Sequence, residues 1–232
     1  MAIKGVVFDL DDTLYLERDY IWSGFRHVAK TAHKTTGCSE RMIYEHLRGI
    51  FDRGMRGRTF NLLLETYQEL ARHFLPDDLV RIYREHQPLI EPVPGAMELV
   101  ESLKKSGRLV GLLTDGPLSS QNAKIAALNL APILSPIVIT DRWGREYWKP
   151  HPRGFEFIAN AWRISPNELA YIGDNPEKDF IGAKSLGWFT IRLRLEGQLH
   201  LAVEPRRPEA SPHVQCHGIS ELQSLLETRS FR

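Results

Sequence analysis

The chain is poor in cysteine, in long apolar runs and in any excess of one charge. Its 232 residues hold two cysteines, Cys38 and Cys216, far apart and outside any CxxC spacing. That usage excludes a disulfide framework and a cysteine-rich zinc site, and it suits a reduced, cytoplasmic setting. The first apolar run ends at Asp9, too short and too charged for a signal peptide or a membrane span, so a soluble intracellular protein is expected. Thirty basic residues against 29 acidic ones leave a formal charge of +1. Neither nucleic acid nor a membrane is therefore an expected partner. Internal repeats and low-complexity tracts are also missing, and the length suffices for one full core or for a domain carrying a sizeable insertion.

What is present concentrates near the start, in Val6-Val7-Phe8-Asp9-Leu10-Asp11-Asp12-Thr13-Leu14. A short apolar run of this kind reads as a buried strand, and three carboxylates follow where the strand runs out into a loop. Residues two apart in extended chain point to the same side, so Asp9 and Asp11 can address one spot. Like charges held together call for a divalent cation or a shared proton. The pair is a candidate for a metal-assisted nucleophile and an acid.

Residues 17–91 then lack strand alternation and carry apolar stripes at helical spacing. The stripes are Ile21, Trp22, Phe25, Val28, Ala29 and Ala32; Met42, Ile43, Leu47, Ile50 and Phe51; Leu63, Tyr67, Leu70, Ala71 and Phe74; and Leu79, Ile82 and Tyr83. After Pro94-Gly95 a helix with Ala96, Leu99, Val100 and Leu103 on one face leads back to strands. Strands are expected at 109–113, 137–139, 170–172 and 189–193, with helices at 118–128, 155–162 and 180–186 between them. Residues 194–212 read as a loop and 219–226 as a final helix. Strand and helix in succession imply an α/β fold with a doubly wound parallel sheet, formed by residues 1–16 and 92–232 and interrupted by an α-helical insertion over 17–91.

Ligands of such sheets sit beyond the carboxyl ends of the strands. The polar residues there are Asp9 and Asp11, Thr114-Asp115-Gly116, and Gly173-Asp174-Asn175 with Asp179 a turn further on; Lys149 precedes Pro150 in the loop after 137–139. Carboxylates for a metal, a hydroxyl, a lysine and a nucleophile candidate are together what phosphoryl transfer requires.

Through DLDDTL, LLTDG, KPHP and GDNPEKD, in that order over residues 5–193, the chain resembles the haloacid dehalogenase-like superfamily of phosphatases and related hydrolases. The resemblance implies a Rossmann-like core with a helical cap inserted after the first strand. It implies that Asp9 is a nucleophile forming an aspartyl phosphate, and that Asp11 is the general acid and then the general base. Thr114 and Lys149, with the backbone at Asp115 and Gly116, would hold the phosphoryl group. Mg²⁺ would be bound by Asp9, Asp174 and the backbone carbonyl of Asp11, with Asp179 orienting a metal water or Lys149. The implied activity is a Mg²⁺-dependent phosphomonoesterase acting on a small phosphorylated metabolite, and a phosphomutase would carry the same core motifs. A dehalogenase or a phosphonate hydrolase of this type would lack Asp11. A receiver module would place its acceptor aspartate after a central strand of an uninterrupted chain, and an inactive relative would have lost at least one of Asp9, Asp11, Lys149 or Asp174.

Two positions depart from the commonest family form, Asp12 for glycine and Asp115 for asparagine. At both the backbone N–H is expected to matter and the side chain to point away, with Asp12 a bystander. Thr13 is a candidate loop-bracing hydrogen bonder. In the insertion, Arg53, Arg56 and Arg58 could bracket a second anionic group of a substrate or simply form a solvated connector, and Trp22 could line a site entrance or be core. His151 reads as a loop residue, since no second histidine stands at ligand spacing.

Overall fold

The computed structural model describes residues 2–228. Six strands, β1 (Gly5–Phe8), β2 (Leu109–Thr114), β3 (Ile137–Ile139), β4 (Leu169–Gly173), β5 (Phe189–Leu193) and β6 (Val214–Cys216), form one sheet in the order β3-β2-β1-β4-β5-β6. Every pairing is parallel. Strand β1 is central, with Val7 opposite Gly111 on one side and Tyr171 on the other. Its four residues are all buried, which explains why it reads as an unbroken apolar run. The chain winds outward through β2 and β3 and then crosses to β4 on the opposite side of β1. The strand order therefore reverses beside β1, the position where open sheets bind ligands.

The helices are α1 (Glu17–Thr36), α2 (Glu40–Asp52), α3 (Thr59–Thr66), α4 (Gln68–Ala71), α5 (Pro76–Arg84), α6 (Ala96–Lys105), α7 (Leu118–Ala127), α8 (Arg153–Trp162), α9 (Asp179–Ser185) and α10 (Ile219–Thr228). Phe155 and Ile158 of α8 and Phe180 and Ala183 of α9 pack with Val7, Leu113, Val138 and Tyr171 of the strands, and Trp188 closes that cluster. The chain divides into two compact units, Met1–Arg18 with Glu91–Arg232, and Asp19–Ile90. The second unit is helical, and its core holds Phe25, Val28, Ile43, Leu47, Ile50, Leu63, Leu70 and Leu79. No helix among the described residues is long and apolar enough to cross a membrane.

Three local expectations need correction. Met42 is 58% exposed, because it stands about 100° around α2 from the buried line of Ile43, Leu47 and Ile50. The stripe from Leu63 to Phe74 does not lie on one helix: the chain breaks at Tyr67 (φ −107°, ψ 85°), after Thr66 Oγ1 donates back to the Leu62 carbonyl, and Ala71 is exposed. A sixth strand, β6, follows the loop at 194–212; it pairs Val214 with Ile191 and Cys216 with Leu193, and three residues are too few to show a period.

Both cysteines are free. Burial pushes the Cys216 thiol up to about 11, while Cys38 is half-buried. Alkylation with iodoacetamide under native conditions is expected to label Cys38 alone, with Cys216 reacting only in denaturant, as peptide mass spectrometry would show.

Candidate active site

Asp9 leaves the end of β1 with its N–H donating to the Ile172 carbonyl at 2.8 Å, which pins the residue between β1 and β4. Its carboxylate is buried. Oδ1 forms an ion pair with Lys149 Nζ at 2.9 Å, and Oδ2 has no hydrogen-bond partner among the described residues. Lys149 arrives from the segment after β3, past two short 3-10 turns, Thr140–Trp143 and Arg145–Tyr147. Its ammonium also donates to Asp179 Oδ1 at 2.8 Å and to the Tyr171 hydroxyl at 2.7 Å. Although burial works against the charge, Asp179 and Asp9 hold Lys149 well above the ordinary lysine value.

Asp174 and Asn175 follow β4, and their N–H groups both donate to Asp179 Oδ2, at 3.1 and 2.8 Å. Asp179 is thus fully engaged, by two amides on one oxygen and by Lys149 on the other. These partners and Lys178 keep it below the usual carboxylate range in spite of burial. The tuck needs a glycine before it, since a Cβ on Gly173 would stand 2.5 Å from Asp179 Oδ2. Asp174 Oδ2 is buried with no hydrogen-bond partner among the described residues.

Asp9, Asp174 and Asp179 can bring one carboxylate oxygen each to within 4.8 Å of one another. Two unit charges about 5 Å apart repel by about 3 kcal/mol at a protein-like effective dielectric. Burial and the opposing carboxylates accordingly push Asp174 well above its usual range, and burial takes Asp9 up to about 6 even beside Lys149. Two orphaned, buried carboxylate oxygens facing one cluster fit a hard divalent cation with oxygen ligands.

Asp11 is turned out of this cluster. Its Oδ1 accepts from the Tyr15 hydroxyl and from Lys124 Nζ at 2.6 Å, and its Oδ2 accepts from Gln121 Nε2 at 2.9 Å. Burial opposes ionisation, but Lys124 with those hydrogen bonds lowers Asp11 below the ordinary value. Glu17, at the start of α1, is pushed up to about 7 by burial and by Asp11. Thr114 ends β2, and its hydroxyl accepts from Gln121 Nε2 at 2.6 Å. Gly116 (φ 121°) leaves room for that amide, as a Cβ there would meet Gln121 Cδ at 3.2 Å.

Asp115 points away from this spot, onto Thr140 Oγ1 at 2.6 Å and the Lys149 N–H at 3.1 Å, so it ties β2 to the lysine loop. Asp12 is no bystander. In the left-handed region (φ 52°), it accepts from the N–H groups of Glu17 at 2.8 Å and Leu199 at 2.7 Å. Thr13 does not brace the loop: the N–H groups of Thr13 and Leu14 both return to the Leu10 carbonyl, and in that tight turn the threonine hydroxyl is buried without a partner among the described residues.

The candidates in the insertion lie in the unit Asp19–Ile90. Trp22 packs on Phe51 at 4.9 Å between centroids and carries the Arg48 guanidinium on its ring. Arg56 stacks on Phe51, Arg58 pairs with Glu65 at 2.9 Å, and Arg53 is exposed. His151 Nδ1 accepts the Arg153 N–H and belongs to its loop. Gln121, Lys124, Tyr15, Tyr171 and Thr140 were not among the sequence candidates. None of them had a local signal: Gln121 and Lys124, for example, meet Asp11 only across 110 and 113 residues of chain.

Carboxylates, a lysine and a strand-end hydroxyl gathered at the switch point of a six-stranded Rossmann-like sheet define an α/β class of protein. The chain belongs to the haloacid dehalogenase-like hydrolase family, whose sequence profile matches residues 3–187. It is 30% identical over 244 aligned residues to the glyceraldehyde 3-phosphate phosphatase of Pyrococcus furiosus, covering 97% of this chain and 92% of that protein. It is also 30% identical over 164 residues to the (S)-2-haloacid dehalogenase 4A of Burkholderia cepacia, covering 70% of this chain and 65% of that one. Among solved structures, the HAD-hydrolase YfnB from Bacillus subtilis, described as bound to magnesium, aligns with a TM-score of 0.65 at 20% identity, covering 97% of this chain and 99% of that chain. At that identity the likeness speaks for the fold alone.

Proposed function

We propose that the protein is a Mg²⁺-dependent phosphomonoesterase that hydrolyses a small phosphorylated metabolite in the cytoplasm through a phosphorylated Asp9. The observation that carries this reading is the state of Asp9. It is a buried carboxylate at the sheet switch point, held by one lysine and open on Oδ2, with a second aspartate two residues on. A carboxylate oxygen of Asp9 attacks phosphorus, and the bond to the ester oxygen breaks. The departing alcohol takes a proton from Asp11; Lys124 and the hydrogen bonds favour its ionised form, and the negative charge of an arriving phosphate opposes them and lets it carry that proton. Water then attacks the aspartyl phosphate as Asp11 takes its proton back, releasing inorganic phosphate and restoring Asp9. Lys149, the Thr114 hydroxyl and the backbone N–H groups at 115 and 116 hold the phosphoryl oxygens. Asp9, Asp174 and the Asp11 carbonyl would hold Mg²⁺, which when bound supplies positive charge to the transferring group. The unit Asp19–Ile90 serves as a cap in this reading, and Asp179 holds Lys149.

The presence of Asp11 separates this reading from dehalogenation, despite the likeness to a haloacid dehalogenase, since halide departure needs no proton. Purified protein is expected to release phosphate from 4-nitrophenyl phosphate only with Mg²⁺, and from some members of a panel that includes three-carbon sugar phosphates. Mg²⁺ is also expected to raise the melting temperature by a few degrees, as a ligand that binds only the folded state does, and Asp174→Asn to abolish that rise. Metal-independent phosphate release, or turnover of a 2-haloacid in its place, would sink the proposal.

A further inference from the structure

Helix α7 carries Gln121 and Lys124 three residues apart, so the two side chains leave the same face. That face is buried, with Gln121 1% and Lys124 5% exposed. A buried amide and a buried ammonium are costly unless partnered. Here both reach the same carboxylate. Lys124 Nζ stands 2.6 Å from Asp11 Oδ1, where the Tyr15 hydroxyl also donates, and Gln121 Nε2 donates to Asp11 Oδ2 at 2.9 Å. The same amide nitrogen donates to Thr114 Oγ1 at 2.6 Å. One helix face thus engages two residues from the ends of two different strands.

We propose that Gln121 and Lys124 are positioning residues for proton transfer. They hold the Asp11 carboxyl group in one orientation and, through the shared amide, fix its spacing from the Thr114 hydroxyl. The inference rests on the reading of Asp11 as the proton carrier and Thr114 as a phosphoryl holder. Asp11 sits in a loop, and its side chain turns about two bonds. Without the donors on α7, its oxygens lose the fixed position from which the carboxyl group meets a substrate, and a misplacement of about 1 Å in such a group costs on the order of 10²-fold in rate. That loss is felt only where the leaving oxygen needs a proton. It is large for an alkyl ester, whose alkoxide is strongly basic, and small for a nitrophenyl ester.

The test is kcat/KM for 4-nitrophenyl phosphate and for glycerol 3-phosphate, each with Mg²⁺, in the wild type, Lys124→Met, Gln121→Met, Lys124→Arg and Asp11→Asn. Lys124→Met and Gln121→Met are expected to lose about 10²-fold on the alkyl ester and less than about fivefold on the aryl ester, with Lys124→Arg recovering most of the loss. Equal losses on both esters, or none, would overturn the assignment, because a merely structural role does not sense the leaving group. Should Lys124→Met fail to fold, Gln121→Met leaves the ion pair intact and decides the same comparison. Asp11→Asn tells the two failures apart. If it keeps full activity on the alkyl ester, the reading of Asp11 is wrong and the clamp falls with it; if it loses that activity while both α7 variants keep theirs, only the clamp is wrong.

Discussion

Asp9→Asn is expected to remove phosphate release altogether, by about 10⁴-fold or more, since an amide oxygen cannot take the place of the attacking carboxylate. The same substitution is expected to leave the fold intact. Asparagine has nearly the same shape, and Lys149 keeps Asp179 at 2.8 Å and Tyr171 at 2.7 Å. Its effect on stability has a sign that depends on pH. Burial raises the Asp9 carboxyl from 3.8 to about 6, so the folded state binds this proton more tightly than the unfolded chain does. A group of that kind contributes stability below pH 4 that is lost as pH rises toward 6. In chelator-treated protein the Asp9→Asn variant escapes this loss. Its melting temperature relative to the wild type is therefore expected to climb between pH 4 and pH 6. Measurable turnover in the variant, or a relative melting temperature that falls over that interval, contradicts the role given to Asp9.

Lys149→Met is expected to destabilise the protein strongly. The lysine is the cation shared by Asp9 at 2.9 Å and Asp179 at 2.8 Å, and its side chain is fully enclosed. Methionine fills a similar volume but takes the nearest cation from two buried carboxylates, leaving Lys178 to offset them, and breaking a buried pair from one side costs roughly 3–5 kcal/mol. For a chain of this size that is a fall of about 10 °C in melting temperature. Phosphate release is expected to vanish with it. The companion variant Asp179→Asn shows whether charge is the cause. In the double variant one of the stranded carboxylates is already neutral, so the loss is expected to be smaller than the sum of the single losses. Strict additivity in melts of the four proteins would mean that the lysine acts by packing and not by charge.

Much of this could be read before any coordinates. The central strand, the four core strands after it and their helices follow from apolar runs bounded by Gly and Pro, because a parallel sheet buried on both faces leaves that trace in sequence. The polar residues at its edge were legible for the same reason: Asp9, Thr114 and Asp174 each follow or end an apolar run. Strand β6 was not legible, since Val214–Cys216 takes its place from pairing with β5 and not from any period of its own. The break at Tyr67 was equally hidden, as the spacing of apolar residues continues through it. The supporting shell was the least visible part. Lys124, Gln121 and Tyr171 meet the acids only after folding, across separations of up to 113 residues, and nothing local marks a lysine or a glutamine that will be buried.

The clasp on Asp12 changes how the rest of the chain is to be regarded. Residues 198 and 199 lie beyond the stretch 3–187 that the family profile covers, yet Gln198 Nε2 donates to the Asp12 carbonyl at 2.6 Å and the Leu199 N–H to its carboxylate at 2.7 Å. Arg192, also beyond that stretch, donates from Nε to the Asp174 carbonyl at 2.9 Å and from a terminal nitrogen to the His200 carbonyl at 3.0 Å. Residues 192–199 therefore grip both acidic loops from behind. Insertions or deletions between residues 194 and 204 are expected to shift the spacing of those loops while Asp9, Asp11, Lys149 and Asp174 themselves stay the same.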